Sequence, residues 1–197
     1  MKKYNTAELK FDQDIARLLK YDIIGEIISA IRWPDTLVRR AVITALVSLP
    51  TQRFAEVMAD FDRVILESGL RCACEHLLNK LVTEVDSSGA EEIPEKGPVI
   101  IAANHPGTFD SLSILSQLPR EDAKIIVGAN PFFYDMRKGR DFLIFSPRQH
   151  DKRFEVIRQA IQHLQNGGLL LIFPYGHIAP DPAILDGASA CIREWSR

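Results

Sequence analysis

The sequence has few cysteines and almost no net charge, and each feature excludes a class of protein. Three cysteines occur in 197 residues, Cys72, Cys74 and Cys191, and such an odd, sparse set does not suggest a disulfide framework. A reducing cytoplasm is therefore the expected compartment. The formal net charge of −2 argues against a nucleic-acid-binding protein that works by bulk electrostatics.

The sequence also lacks a long apolar run. Met1-Lys2-Lys3 is followed by polar residues and not by the apolar core of a secretory signal. The longest apolar stretches, such as residues 41–49, fall well short of the roughly 20 residues that a membrane-spanning helix needs. We therefore expect a globular protein, and contact with a membrane surface stays open.

Several motifs with known chemistry are absent. The sequence has no Gly-x-Ser-x-Gly elbow, no Walker loop, no dinucleotide fingerprint and no His-Glu-x-x-His. Two groups of potential metal ligands are poorly spaced: Cys72, Cys74 and His76, and His150, Asp151 and His163. On a helix, residues two apart point to different sides, so we favour small buried thiols over a metal at the cysteines. No metal is expected.

Helical periodicity runs through the first 80 residues. Apolar residues repeat at helical spacing over residues 15–31, 37–49, 54–65 and 70–81. Asp35 suits the N-cap of the second of these helices, and Pro50 is expected to end it. Ser68-Gly69 separates the last two helices. We therefore predict an N-terminal helical subdomain over residues 1–80.

The pattern changes after residue 81. Residues 82–85 alternate like a strand. Short apolar runs bounded by turn residues, as in buried strands, follow at residues 99–103, 124–128, 142–146 and 169–173. A helix over residues 154–164 is predicted to end at Asn166-Gly167-Gly168. Strands that alternate with helices predict a mostly parallel sheet covered by helices, so we assign residues 81–197 to an α/β domain.

Asn104-His105-Pro106-Gly107-Thr108-Phe109-Asp110 directly follows the first apolar run. Five positions along a helix rotate by about 500°, so His105 and Asp110 would not share a helix face. They converge only if His105 lies in a turn before a helix and Asp110 in its first turn, with Thr108 as N-cap. Asp110 would then orient the imidazole as a base. An aspartate at a helix start is also favourable through the helix dipole alone, so a purely structural role stays open.

Two further segments leave predicted strands. Phe173-Pro174-Tyr175-Gly176-His177 follows the last apolar run, and Gly176 permits a close approach of the backbone to a ligand. Taken alone, this segment is better explained as a simple turn. Arg148 follows the run at residues 142–146 and is a candidate phosphate ligand. Because the carboxyl ends of parallel strands meet at one edge, we expect these groups near His105.

These elements, in this order, resemble the glycerolipid acyltransferase family, which includes glycerol-3-phosphate and 1-acylglycerol-3-phosphate acyltransferases. Residues 99–110 resemble its first motif, Asn-His-x4-Asp after a strand, and residues 173–177 resemble its third, usually Phe-Pro-Glu-Gly-Thr. Residues 144–148 are similar, more loosely, to the second motif, whose arginine contacts the acceptor phosphate. The resemblance covers roughly residues 80–182 and implies a glycerol-3-phosphate acyltransferase-like α/β fold.

The resemblance also implies a reaction. His105, oriented by Asp110, deprotonates the hydroxyl of a glycerol-phosphate, lysophospholipid or related lipid acceptor. That hydroxyl then attacks the thioester of acyl-CoA or acyl carrier protein, and no cofactor or metal is implied. Dipoles at the helix start help to stabilise the tetrahedral oxyanion. The residues implied for substrate binding are Asn104, Gly107, Thr108, Arg148, Pro174, Tyr175, Gly176 and His177.

Departures from the family pattern concern the third motif. Tyr175 replaces the usual glutamate, His177 replaces the threonine, and Ile178 stands where an arginine often follows. The family usually continues through further strands, so we expect a C-terminally incomplete or abbreviated member. These departures leave the acceptor open. They also leave two alternatives: a non-catalytic acyl-thioester- or lipid-binding protein of the same fold, and a thioester hydrolase in which His105 activates water.

The N-terminal helices carry wide apolar faces. The first of them presents Ile23, Ile24, Ile27, Ile28 and Ile31. Such a face either packs against the α/β domain or contacts a lipid surface. The expected localisation is cytoplasmic, and peripheral attachment to the inner face of the membrane stays open.

Overall fold

The computed structural model describes residues 6–31, 36–107, 109–147, 153–176, 178–181, 184–186 and 188. In chain order the elements are α1 (Thr6–Ala30), α2 (Leu37–Ser68), α3 (Leu70–Leu81), β1 (Val99–Ala102), α4 (Asp110–Gln117), β2 (Ala123–Gly128), α5 (Pro131–Tyr134), β3 (Leu143–Ser146), α6 (Arg153–Gln165) and β4 (Leu169–Ile172). Short 3₁₀ turns lie at Ala90–Glu92 and Gly139–Phe142.

The chain divides into two compact units. The first comprises residues 1–68 and 130–141, and the second comprises residues 69–129 and 142–197. These bounds differ from the predicted domains, 1–80 and 81–197. The difference arises because α3 packs against α4 inside the second unit, whereas α5 packs against α1 inside the first.

In the helical unit, α1 packs along α2. The carboxylate of Asp62, which is buried, fixes the segment that follows α5. It accepts backbone N–H groups of Arg137 at 2.9 Å, Lys138 at 2.8 Å and Gly139 at 2.7 Å. Three such bonds satisfy a buried carboxylate that would otherwise be costly to remove from water. Asp62 therefore anchors this segment to α2.

Pro50 lies inside α2 and does not end it, so the prediction of two helices separated there is wrong. A proline in a helix interior removes one backbone donor, at a cost of about 3 kcal/mol. Pro50 is exposed, so water can satisfy the Leu46 carbonyl that loses its helical partner. Packing of α2 against α1 supplies stabilisation that the local pattern does not reveal.

The ends of α2 agree in part with the sequence. The predicted N-cap, Asp35, lies outside the described residues. Thr36 makes capping contacts, because its Oγ1 accepts the N–H of Arg39 at 3.4 Å and its carbonyl accepts that of Arg40 at 3.0 Å. The predicted break before α3 is confirmed, and Gly69 there has a φ of 89°, which favours glycine.

The second unit contains a parallel sheet whose described strands have the order β1–β4–β2–β3. The register places Ala102 opposite Ile172, and Ile125 opposite both Leu171 and Leu143. The four strands coincide with the four predicted apolar runs, and α6 packs against β3 and β4. The predicted α/β class with a parallel sheet is confirmed. All four carboxyl ends lie at the same edge of the sheet.

Two details of the strand prediction are wrong. Residues 82–85 form no strand. Val82 leaves α3 with extended backbone, and its N–H donates to the Leu78 carbonyl of that helix. Although residues 82–85 alternate in polarity, they pair with no strand among the described residues. β1 was expected to be buried, but its residues alternate in exposure and Ile100 is 55% exposed. Within the described residues β1 pairs on one side only, with β4.

Arg120 ties together the segments that enter three strands. Its side chain is 5% exposed, and it makes two 2.6 Å bonds to the Asp122 carboxylate. Its other donors reach the carbonyls of Pro94 at 3.1 Å, Gly97 at 2.9 Å and Gly167 at 2.6 Å. All of the guanidinium N–H groups are therefore satisfied. The contacts hold the entrances of β1, β2 and β4 in one arrangement.

The predicted stop of α6 is confirmed. The N–H of Gly168 bonds the His163 carbonyl at 3.0 Å, and the N–H of Gly167 bonds that of Leu164 at 2.9 Å. These two bonds, with a φ of 83° at Gly167, form a Schellman motif. The stop directs the chain into β4. His163 adds a bond from its Nε2 to the Leu169 carbonyl at 2.9 Å.

In the part of the chain that the structure describes, none of the helices has both the length and the apolarity needed to cross a bilayer.

Candidate active site

β1 and β4 are neighbours, so the two motifs that follow them emerge side by side. The pairing continues one residue past β1, where the N–H of Ala103 bonds the Ile172 carbonyl at 3.1 Å. His105 follows two residues later, and Phe173 directly follows Ile172. The expectation that the first- and third-motif loops share one sheet edge is met.

His105 and Asp110 converge as their spacing requires. Asp110 is the first residue of α4, and His105 lies in the loop before it. Nδ1 of His105 is 2.9 Å from Oδ2 of Asp110. Both side chains are partly buried, so the contact is shielded from bulk water without being closed to a ligand.

This contact fixes which ring nitrogen of His105 carries the proton. An ionised carboxylate only accepts hydrogen bonds, so Nδ1 carries the hydrogen and donates it to Asp110. The other nitrogen, Nε2, then keeps its lone pair. Within the described residues no hydrogen bond reaches Nε2. In this tautomer the accepting nitrogen is available to a substrate proton.

Gly107 supports the carboxylate from the other side. Its N–H donates to Oδ2 of Asp110 at 2.7 Å, so one carboxylate oxygen accepts bonds from both the His105 ring and the backbone. A Cβ at Gly107 would lie 3.3 Å from Oδ1 of Asp110. This distance is tight, so glycine leaves the carboxylate room at this position.

The start of α4 differs from the prediction by one residue. The N-cap position is taken by Phe109, which makes no side-chain cap bond, and Thr108, the predicted N-cap, lies outside the described residues. The Asp110 carboxylate reaches back to the Gly107 N–H, as the acidic member of a capping box does. The same carboxylate therefore both supports the helix start and orients His105.

The loop after β4 holds His105 at two points. The ring of Phe173 stacks on the imidazole with a centroid distance of 4.3 Å and an interplanar angle of 22°. The N–H of Ala179 donates to the His105 carbonyl at 2.9 Å. The third-motif pattern indicates no role for Phe173 and none for Ala179. The position of Phe173 directly after an apolar strand was the available signal.

The remaining predicted binding residues fall into two groups. Asn104, Pro174 and Tyr175 are half-buried at this sheet edge, and Gly176 is exposed with a φ of 80°. The N–H of Gly176 bonds the Phe173 carbonyl at 2.9 Å, which closes a turn over Pro174 and Tyr175. Thr108, Arg148 and His177 lie outside the described residues, so their placement stays a prediction.

The expectation of small buried thiols on α3 is confirmed for Cys74 and wrong for Cys72. On α3, Cys72 is exposed and Cys74 is buried, and burial raises the pKa of the Cys74 thiol to about 12. Such a thiol stays protonated and inert at neutral pH. Within the described residues, no group of three or more His, Cys, Asp or Glu side chains could hold a metal ion.

Comparison with known proteins identifies the family. The acyltransferase family model matches residues 84–191, more than half of the chain. The chain belongs to the acyltransferase family. This is the family of glycerolipid acyltransferases, including those that act on glycerol-3-phosphate and on 1-acylglycerol-3-phosphate. No curated protein and no solved structure gives a significant match to the chain.

The matched acyltransferase region includes both motif loops and all four strands. It begins after α3 and contains His105, Asp110 and Phe173. Family membership supports acyltransferase activity and a place in lipid metabolism.

Proposed function

We propose that this protein transfers a fatty acyl group from a thioester, acyl-CoA or acyl carrier protein, to a hydroxyl of a glycerol-phosphate, lysophospholipid or related lipid. The observation that carries the proposal is the contact between His105 and Asp110 at the carboxyl end of β1. It provides an oriented base at the sheet edge where α/β enzymes bind their ligands. Family membership independently supports transfer of an acyl group.

The reaction proceeds by addition and elimination. Nε2 of His105 takes the proton from the acceptor hydroxyl as its oxygen attacks the thioester carbonyl. Asp110 stabilises the imidazolium that forms. The tetrahedral intermediate collapses as the carbon–sulfur bond breaks, leaving an ester. The departing thiolate takes the proton back from His105, so the protein ends the cycle unchanged.

The helix start supplies a second catalytic element. The first turn of an α-helix leaves N–H groups without intrahelical acceptors, and these carry partial positive charge. In α4 this turn begins at Asp110, beside the base. N–H groups aimed at the carbonyl oxygen of the thioester would stabilise the oxyanion of the intermediate.

The third-motif loop and Arg148 would make most of the contacts that select the acceptor. Arg148 is proposed to bind the phosphate of the acceptor. Tyr175 occupies the position where the family has glutamate, and a half-buried aromatic ring there favours an acceptor with more apolar surface or less negative charge. Asn104, Gly107, Thr108, Pro174, Gly176 and His177 complete the proposed acceptor and thioester site.

The experiment is an acceptor panel with one thioester. The purified protein is given an acyl-CoA, or the same acyl group on acyl carrier protein, together with glycerol-3-phosphate, lysophospholipids or uncharged lipid alcohols. Thiol release and the ester product are measured in the same samples. Transfer predicts that thiol and ester appear in equal amounts and that both depend on the acceptor.

Three other outcomes would replace the proposal. Saturable binding of acyl-CoA without turnover would indicate a non-catalytic acyl-thioester-binding protein, an alternative motivated by the altered third motif. Thiol release with free fatty acid, independent of acceptor, would indicate hydrolysis. Thiol release that is as fast in His105→Ala as in the parent would exclude His105 as the base.

We also propose that the protein works in the cytoplasm on the surface of an anionic membrane, because its expected acceptor is a lipid. The surface that supports this lies on α2 and not on α1, where Ile23, Ile24, Ile27 and Ile28 are half-buried. Residues 36–55 contain three arginines and no acidic residue. We name as the α2 face its exposed apolar residues Val38, Val42, Leu46 and Leu49.

The α2 face has the spacing and charge of a lipid-binding surface. Its residues follow one another at helical intervals of three and four, and the exposed Arg53 continues the same line. The four apolar residues of this face form a contiguous exposed patch, in which Leu46 is 75% exposed, and such patches are typical of interaction surfaces. Arginine beside such a stripe favours anionic headgroups over a second apolar protein surface.

Flotation with vesicles tests this surface. Phosphatidylcholine vesicles with and without phosphatidylglycerol are mixed with the parent and with Leu46→Glu. The matched control is Leu66→Glu, because Leu66 is 56% exposed on the same helix but is rotated by about 160° from Leu46. We expect Leu46→Glu alone to lose binding to anionic vesicles. Absence of parent binding, or equal effects of the two variants, would contradict this proposal.

A further inference from the structure

Phe173 lies flat against the imidazole of His105, and we propose that Phe173 is a positioning residue for that base. The centroid distance of 4.3 Å and the interplanar angle of 22° describe a stacked contact between the two rings. The inference rests on the proposed function of His105, because a positioning residue acts through the group that it positions. Phe173 itself neither donates nor accepts a proton in the proposed reaction.

One hydrogen bond leaves the orientation of the His105 ring incomplete. The bond from Nδ1 to Asp110 restrains that atom, but a hydrogen bond accepts a range of angles, so the ring keeps some rotation about its Cβ–Cγ bond. Contact with the flat face of Phe173 removes this rotation, because turning the imidazole would break the contact on one side and cause a clash on the other. The two contacts together set the direction of Nε2, the atom that receives the substrate proton.

Phe173 is itself held from both sides along the chain. The residue before it, Ile172, pairs with β1 and accepts the Ala103 N–H at 3.1 Å. The carbonyl of Phe173 accepts the Gly176 N–H at 2.9 Å. Because hydrogen bonds fix the backbone on both sides of Phe173, its ring has little freedom. The ring can therefore act as a fixed surface for the imidazole.

The same loop also fixes the backbone of the base. Ala179, which is buried, donates its N–H to the His105 carbonyl at 2.9 Å. The loop after β4 therefore contacts His105 at its ring and at its main chain. The third-motif segment thus orients the base, in addition to its proposed role with the acceptor.

The kinetic test compares Phe173→Leu with Phe173→Tyr. Leucine keeps apolar volume but has no flat face, so we expect kcat to fall roughly three- to tenfold with little change in KM. Tyrosine restores the face and should restore kcat. The matched control is Phe154→Leu, because Phe154 is 80% exposed on α6 in the same unit and should tolerate the change.

A spectroscopic measurement keeps this inference separate from the proposed function. The His105 ring protons lie over the face of Phe173 and carry its ring-current shift, which carbon–proton NMR detects in histidine-labelled protein, assigned with His105→Gln. We expect Phe173→Leu to remove this shift and Phe154→Leu to leave it unchanged. An unchanged shift in Phe173→Leu would overturn the stacking whether or not the parent transfers acyl groups. Loss of the shift in Phe173→Leu with kcat at the parent value would overturn the positioning role. Absence of acyl transfer by the parent would contradict the proposed function and, with it, any role of Phe173 in catalysis.

Discussion

Nδ1 of His105 lies 2.9 Å from Oδ2 of Asp110, although five residues along one helix would carry the two side chains to different faces. The two side chains meet because α4 begins at Asp110 and His105 lies in the preceding loop. The N–H of Gly107, midway between them, bonds the same oxygen. The contact is therefore a property of the loop-to-helix junction and depends on each of its parts.

Replacing Asp110 by asparagine should abolish most of the activity. Asparagine keeps the size of the side chain but removes the negative charge that stabilises the imidazolium, and it replaces one carboxylate oxygen by an NH2 group that cannot accept a hydrogen bond. We expect kcat to fall on the order of 100-fold or more. Steady-state transfer kinetics check this, with the exposed Asp186 changed to asparagine as the control. Equal kcat in the two variants would remove Asp110 from the mechanism.

Replacing Gly107 by alanine should lower activity because the added Cβ displaces the Asp110 carboxylate, and not because it strains the backbone. The added Cβ would lie 3.3 Å from Oδ1 of Asp110, whereas a Cβ at Gly128 would meet nothing within 4 Å. Displacement of an orienting group costs rate steeply, so we expect kcat to fall roughly tenfold in Gly107→Ala. Gly128→Ala is the matched control and should keep the parent rate. If both variants match the parent, the carboxylate tolerates the crowding and this explanation fails.

The Arg120 cluster should matter for stability and not for chemistry. The hydrogen bonds that Arg120 donates to Asp122 raise the pKa of Arg120 and lower the pKa of Asp122, so both groups stay charged at neutral pH. Arg120→Ala leaves the carbonyls of Pro94, Gly97 and Gly167 without these donors and should lower the free energy of unfolding by about 1–3 kcal/mol. Urea unfolding measures this. Arg158→Ala, which breaks the exposed pair with Glu155, is the control and should change stability little.

Stability should fall as the pH rises through the titration of Asp22. Burial, with Asp135 and Glu26 nearby, raises the pKa of Asp22 to about 6. The native state therefore keeps this proton between about pH 4 and pH 6 while the unfolded chain releases it, so native stability decreases across that window. Asp22→Asn should raise the melting temperature at pH 7.5 and flatten the pH dependence. Parent and variant curves with the same pH dependence would contradict this.

Much of the fold could be predicted from local pattern. The four strands, the glycine stop of α6 and the break at Gly69 each depend on residues adjacent in the sequence. The predictions of a helix end at Pro50 and of a strand at residues 82–85 are wrong, because contacts distant in the sequence decide the secondary structure there. Packing against α1 carries α2 through a proline, and alternation after α3 finds no partner strand.

The candidate site could be predicted in its parts and not in its assembly. The spacing of His105 and Asp110 implied their contact once the helix start was assumed, and it was confirmed. The pairing of β1 with β4 is non-local, so the stacking of Phe173 on His105 could not be predicted from either motif alone. The proposed roles of these residues stay predictions until activity is measured.

The most direct test of the central claim is the rate of ester formation by the parent and by His105→Ala, with the acceptor that gives the highest rate in the panel. His76→Ala, a half-exposed histidine on α3 in the same unit, is the matched control, and circular dichroism confirms that all three proteins are folded. The account predicts that His105→Ala loses at least about 100-fold in kcat/KM while His76→Ala keeps the parent value. Ester formation by folded His105→Ala at the parent rate would contradict it.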